Sequence, residues 1–265
     1  MHILIDGKYI YDKSIYNFKA KLKNVINFSN NNLANKLNLH KNLIKLNNTQ
    51  IFDYLLNQYE LNFYKIFYNK DKLQNYKKLF NDNKVWVLKP SYGIGGGIDI
   101  KIISNFNELL EIFNSIVSTN KTLWENLNYQ DYENSKKSIK YTYHINYILQ
   151  EYEHKPVLID NKKINLKAYY IYDNVSNKYY LYDNIPIYTA KLNYNDDDYI
   201  NKDIHYSSYE TTSNYYYFPD KFNELFGQDI TKKIKQNLIN LLKNINVLIK
   251  SDYYTIDNNN FSIFV

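Results

Sequence analysis

Val85-Trp86-Val87-Leu88-Lys89-Pro90-Ser91-Tyr92-Gly93-Ile94-Gly95-Gly96-Gly97-Ile98-Asp99-Ile100 is the stretch on which the fold turns. Residues 85–89 and 98–103 are apolar-rich runs that read as strands, and what separates them is a loop. The chain has only six glycines, and four of them, Gly93, Gly95, Gly96 and Gly97, fall within five positions of that loop. Glycine tolerates positive φ and lets backbone N–H groups approach an anion closely, which is how a loop cradles phosphate oxygens. A P-loop would end in Gly-Lys-Ser/Thr and open a helix, and a dinucleotide fingerprint would also open a helix. A strand follows instead, so the unit is a strand-loop-strand flap, with a ligand-free hairpin as the competing reading. Lys89, at the end of the incoming strand, is placed to donate charge to a phosphate.

Working outward from the flap, residues 2–11 read as a strand and 12–27 carry apolar side chains nearer to helical spacing. Two helical patterns follow at 33–46 and 51–59, then a less regular link to about residue 75. Beyond the flap, strands are expected at 145–152, 164–172 and 179–182, with a helix at 105–117 opened by Ser104 as its cap. Residues 190–220 are polar and Tyr-rich and read as a long functional loop or a poorly ordered segment. An amphipathic helix over 229–248 precedes a final strand pair near 252–256 and 261–265. The economical class is α+β with mainly antiparallel sheets and flanking helices. The expected organisation is a small N-terminal lobe (1–80), a central lobe with the Gly-rich flap (81–175) and a C-terminal lobe (176–265).

Composition narrows the function classes. The 265 residues suffice for a real core. There are 31 tyrosines and no arginine, and Asn, Lys and Ile are abundant, so single residues of those types carry little information. The formal charge of +6 favours an acidic partner, although a lysine-rich bias would produce the same balance. The absence of cysteine excludes a disulfide framework, a thiolate zinc site and a cysteine nucleophile. No run approaches the roughly 18 apolar residues of a membrane span, and the N-terminus becomes charged too early for a signal peptide, so a cytoplasmic monomer is expected. His2, His40, His144, His154 and His205 lack paired ligand spacing, and Asp196-Asp197-Asp198 reads as a solvated loop. Tyr215, Tyr216 and Tyr217 have no interleaved basic stripe, which argues against nucleic acid.

Several blocks together resemble the tubulin tyrosine ligase-like family. Trp86, Lys89, Pro90 and Gly93 to Gly97 are similar to its Trp-Ile-x-Lys-Pro segment and Gly-rich loop. Ile148-Leu149-Gln150-Glu151-Tyr152, Pro156-Val157-Leu158-Ile159 and Lys163-Ile164-Asn165-Leu166-Lys167 resemble its Val-Gln-Lys-Tyr, Pro-Leu-Leu-Ile and Lys-Phe-Asp-Leu-Arg run in order and spacing. Residues 33–46 with Lys36, Ile204-His205-Tyr206-Ser207-Ser208 and Asp252-Tyr253-Tyr254-Thr255-Ile256-Asp257 match more loosely.

The resemblance implies an ATP-grasp-like fold and an ATP- and Mg²⁺-dependent ligase that joins an amino acid to an acidic protein tail, such as that of tubulin, through an acyl phosphate. In that scheme Lys36 and Lys89 hold phosphates, Gly93, Gly95, Gly96 and Gly97 cover them, and Gln150, Glu151 and Tyr152 form the adenine-side hinge, with His205 also on the nucleotide. Lys163 and Lys167 lie in the catalytic cleft and Asp252 is a metal ligand. The chain departs from the pattern at several positions. The family's Asp and Arg are Asn165 and Lys167, the second losing the planar fork that grips a carboxylate. A further arginine falls near Ile187, an Asn becomes Ser208, and the Glu-x-Asn metal pair would fall at or beyond Val265. These losses make a nucleotide-binding protein with impaired turnover the alternative.

Overall fold

The computed structural model describes residues 25–26, 36–45, 56–91, 99–127, 145–168, 170–173, 178–181, 184–208, 212, 216–250 and 261–264. In chain order they form β1 (Val25–Ile26), α1 (Lys36–Lys45), β2 (Gln58–Asn62), α2 (Phe63–Tyr68), α3 (Asp71–Gln74), β3 (Trp86–Pro90), β4 (Lys101–Ile103), α4 (Phe106–Glu125) and β5 (Asn146–Glu151). There follow β6 (Leu158–Ile159), β7 (Lys162–Leu166), β8 (Tyr170–Asp173), β9 (Lys178–Leu181), β10 (Ile185–Thr189) and α5 (Lys202–His205). The last elements are β11 (Tyr216–Phe218), α6 (Asp220–Phe226), α7 (Gln228–Lys250) and β12 (Phe261–Phe264).

The chain divides into two compact units, one of Asn31–Pro156 with Asn195–Lys202 and the other of Met1–Asn30, Val157–Tyr194 and Asp203–Val265. This division cuts at 156/157, whereas three lobes of 1–80, 81–175 and 176–265 were expected.

The first unit is built on an antiparallel sheet of order β2-β5-β3-β4. Because strand side chains alternate, Leu61, Trp86, Leu88, Ile103, Tyr147 and Leu149 fall on one face. They pack against Phe106, Leu109, Phe113 and Trp124 of α4, which repeat at helical spacing, in a single apolar cluster. Asn105, rather than the expected Ser104, caps α4: its side-chain oxygen accepts from the Glu108 N–H at 3.1 Å. The Glu108 carboxylate accepts in return from the Ser104 N–H and hydroxyl, both at 2.8 Å, which is the reciprocal logic of a capping box moved one residue upstream. The helix also runs two turns beyond the expected Val117, to Glu125, because Trp124 continues the buried stripe.

The second unit carries two sheets, of orders β11-β10-β7-β6 and β1-β12-β8-β9. All pairings are antiparallel except β1 with β12. Ile159, Ile185, Ile187, Phe218 and Phe222 form the core of the first of these sheets, with Ile234 and Leu238 of α7 packed on it. Asp160 and Asn161, at φ 51° and 60°, make the two-residue turn joining β6 to β7, a role their short polar side chains tolerate.

Several expectations are corrected. Residues 58–59 are strand rather than the end of a helix, since Leu61 must reach the core through a period of two. Val25 and Ile26, placed in a helical pattern, pair as strand with Phe261 and Ser262. The strand expected at 164–172 is two, β7 and β8, which belong to different sheets. The loop expected over 190–220 holds α5 and β11, and β10 just before it was not anticipated. Of the strand expected at 98–103, Lys101–Ile103 is strand, whereas Asp99, at φ 57°, and Ile100 are not. The elements expected at 2–11 and 252–256 lie outside the described residues.

Candidate functional site

The sheet of the first unit has a second, polar face, and the alternation that puts Trp86 and Leu88 in the core puts Val87 and Lys89 on it. In the register Val87 pairs with Gln150 and Lys89 with Ile148, so Lys89 and Gln150 are diagonal neighbours. The Lys89 ammonium donates to Oε1 of Gln150 at 2.5 Å. A flexible lysine is thereby tied at one end of the strand, half-buried rather than waving in solvent.

α1 meets the end of that strand. Its first residue, Lys36, donates its backbone N–H to the carbonyl of Ser91 at 3.1 Å, and Ser91 in turn donates its own N–H to Asn146 at 2.9 Å. The helix lies against β5 with Leu37 and Leu43 buried, and its Lys41 forms an ion pair with Glu60 of β2 at 3.0 Å. No acidic residue occupies its first turn, so the positive end of the helix is left uncompensated by its own sequence. Burial pushes the Lys36 ammonium below its ordinary pKa. His40 is likewise held low by burial, with Glu60 opposing and Lys41 reinforcing the effect. The first residue of α1, Lys36, thus meets Ser91 through its backbone, and Ser91 follows Lys89 by two residues along the chain. Two cations beside a helix N-terminus favour a polyanion there.

Gln150, Glu151 and Tyr152 continue from the middle strand out of the sheet. Glu151 donates its N–H to Asn57 and Tyr152 to Val85, at 2.7 and 2.9 Å. The Glu151 carboxylate accepts from the Asn57 amide at 2.6 Å and pairs with Lys84 at 3.2 Å. That amide first, and then Lys84, hold its carboxyl below the ordinary glutamate range. Segment Asn195–Lys202 packs onto this exit: Asp196 lies 3.3 Å from Nδ1 of His154 and accepts from the Tyr199 hydroxyl at 3.3 Å. The Tyr199 ring meets Tyr152 edge-on, and burial together with Asp196 pushes its phenol up to about 12. Asn57, Lys84 and Tyr199 carry no signal in the sequence, and Asp196 reads there only as part of a solvated loop. What marks all four is tertiary proximity.

In the second unit, Lys163, Asn165 and Lys167 share the face of β7 opposite Ile164 and Leu166, which pack on the core. Asn165 pairs in register with Tyr188 and is exposed. His205, in α5, is buried and meets the Tyr194 ring edge-on. Ile187 is in the core, so the position where an arginine was expected contributes no cation. Gly93, Gly95, Gly96, Gly97 and Asp252 lie outside the described residues.

Among the described residues no group of three or more His, Asp or Glu side chains could hold a metal ion. Asn165 is a neutral amide where the resemblance implies a carboxylate.

The model of the tubulin-tyrosine ligase family matches residues 14–254. Among solved structures, the chain is similar to the C-terminal domain of K. lactis Pby1, an ATP-grasp enzyme that interacts with the mRNA decapping enzyme Dcp2. Identity is 16% and the TM-score 0.52, over 90% of this chain and 62% of that one. The chain therefore spans less than two thirds of that domain, and at this identity the likeness speaks to fold alone: helices and mainly antiparallel sheets in an ATP-grasp-like arrangement. No curated protein sequence matches. Among the described residues no helix is long and apolar enough to cross a membrane.

Proposed function

Because the chain belongs to the tubulin-tyrosine ligase family, we propose that it binds ATP and uses it to join an amino acid to an acidic protein tail. The observation that carries this reading is that the start of α1, at Lys36, bonds to Ser91 two residues beyond Lys89, directly before the Gly-rich stretch. A carboxylate oxygen attacks the γ-phosphorus of ATP and ADP leaves, giving an acyl phosphate. An amine then attacks the acyl carbon, phosphate departs, and the amine gives up a proton to water. Phosphoryl transfer asks the protein mostly for positioning and charge neutralisation, which two half-buried lysines supply. Gln150 to Tyr152 serve as the base-side hinge, His205 also contributes to the nucleotide site, and Lys163 and Lys167 address the carboxylate to be activated. Asp252 supplies a magnesium ligand in this scheme, and the Gly93 to Gly97 loop covers the phosphates. The formal charge of +6 suits a tail rich in glutamate, tubulin's among them.

Asn165 favours a second reading, nucleotide binding with little or no turnover, since a neutral amide stands exposed where a carboxylate is expected. Incubation with ATP, Mg²⁺, purified tubulin and radiolabelled tyrosine, glutamate or glycine separates the two. ATP-dependent label in tubulin is expected from a working ligase. ATP bound without label or ADP release would leave the binding reading in its place.

A further inference from the structure

Ser91 is fully buried, and its hydroxyl has no hydrogen-bond partner. Its other polar groups are spent: the N–H goes to Asn146 and the carbonyl accepts from Lys36. Across the sheet, the Asn146 amide oxygen accepts from Asn62 at 2.8 Å rather than from Ser91. A buried polar atom without a partner is rare in a native fold and calls for a cause.

Its position supplies one. The Ser91 N–H bond to Asn146 carries the β3–β5 pairing one residue past the strand end. The alternation of β3 then puts Ser91 on the same face as Lys89, two residues away. That face also carries Gln150, the partner of the Lys89 ammonium. On the other side of Ser91 stands the first residue of α1, a ten-residue helix with no acidic residue in its first turn.

We infer that the Ser91 hydroxyl is a ligand contact that donates to a phosphate oxygen of the bound nucleotide, completing a seat whose charge comes from Lys36 and Lys89. The inference rests on the ATP-binding reading and adds to it a neutral, buried donor that fixes the position of the phosphate rather than attracting it. An alanine at this position would leave the free protein no worse satisfied than the serine does. The serine becomes useful only when an acceptor arrives.

The test is calorimetric titration of ATP, inorganic tripolyphosphate and adenosine into the wild type, Ser91→Ala and Ser91→Cys, with thermal melts of each protein alone. Cysteine keeps the volume and weakens the donor, so it carries the test should the alanine variant fail to fold. Both variants are expected to melt no earlier than the wild type and to lose about tenfold in affinity for ATP and tripolyphosphate, the loss of one hydrogen bond to a charged group. Adenosine binding should stay within about twofold, since the hydroxyl faces phosphate. Undiminished ATP affinity in both variants would overturn the assignment and leave the ATP reading standing. Equal losses for ATP and adenosine with an earlier melt would make Ser91 structural and also overturn it. A wild type that binds neither ATP nor tripolyphosphate would remove the nucleotide reading and this contact together.

Discussion

Lys89 of β3 donates to the side-chain oxygen of Gln150 of β5 across one step of the antiparallel ladder, at 2.5 Å. The bond holds the ammonium on the polar face of the sheet without neutralising it, because this acceptor carries no charge. Replacing the acceptor by a carboxylate should therefore matter more than removing it. Gln150→Glu is expected to weaken ATP binding by about tenfold, since the new charge both neutralises Lys89 and repels phosphate. Gln150→Ala should weaken it by about threefold or less, the worth of one neutral acceptor. Titration of a fluorescent ATP analogue distinguishes them. Equal effects would mean that the pair does not govern the charge of the site.

The polar face depends on the apolar one behind it. Phe113 of α4 is buried against Phe63, with ring centroids 5.3 Å apart. Phe113→Ala is expected to cost about 3–5 kcal/mol of stability through lost burial and the cavity left behind. Urea unfolding checks this, and a loss under about 1 kcal/mol would show that the cluster repacks.

Glu151 makes the fold sensitive to acid. Its folded-state pKa is lowered by the Asn57 amide and then by Lys84, so the stabilisation is complete above the ordinary glutamate value of about 4.3. It is lost as pH falls through that value into the lower, folded one. The pair is partly exposed, so solvent screening keeps the contribution below about 1 kcal/mol. The stability difference between wild type and Glu151→Gln, followed by denaturation from pH 6 to 3, should shrink toward zero at the acid end. A difference that stays constant would remove the carboxylate from the account.

How far the sequence reached follows from where each signal resided. The strand Trp86–Pro90 and its partner Asn146–Glu151 were legible because local alternation and the Lys-Pro-Gly pattern coincide. Lys36 was legible only by resemblance, because what joins it to the site is a backbone bond to Ser91, 55 positions away. Residues 58–59 misled because they end the helical pattern read over 51–59, and only the pairing with β5 makes them strand. The break between β7 and β8 was invisible because Ala168 interrupts no apolar pattern, yet the two strands join different sheets. Asn57, Lys84 and Tyr199 carry no motif at all. They matter through what the fold sets beside Glu151 and Tyr152.

Asn165 lies exposed on the β7 face that also carries Lys163 and Lys167. If the missing carboxylate limits turnover, Asn165→Asp should raise ATP-dependent amino-acid incorporation by about tenfold or more while changing ATP affinity little. Radiolabel counted per mole of enzyme at saturating ATP checks this. Turnover unchanged or lowered by the aspartate would place the limitation elsewhere in the chain.

The most direct measurement of the central claim is the affinity for ATP of the wild type, Lys36→Met, Lys89→Met and the double variant, at one ionic strength. If both ammonium groups address one bound polyphosphate, each single variant should lose about tenfold or more, and the double variant should lose further. Adenosine affinity should be nearly unchanged throughout. Equal ATP affinity across all four proteins, or no ATP binding by the wild type, would contradict the account.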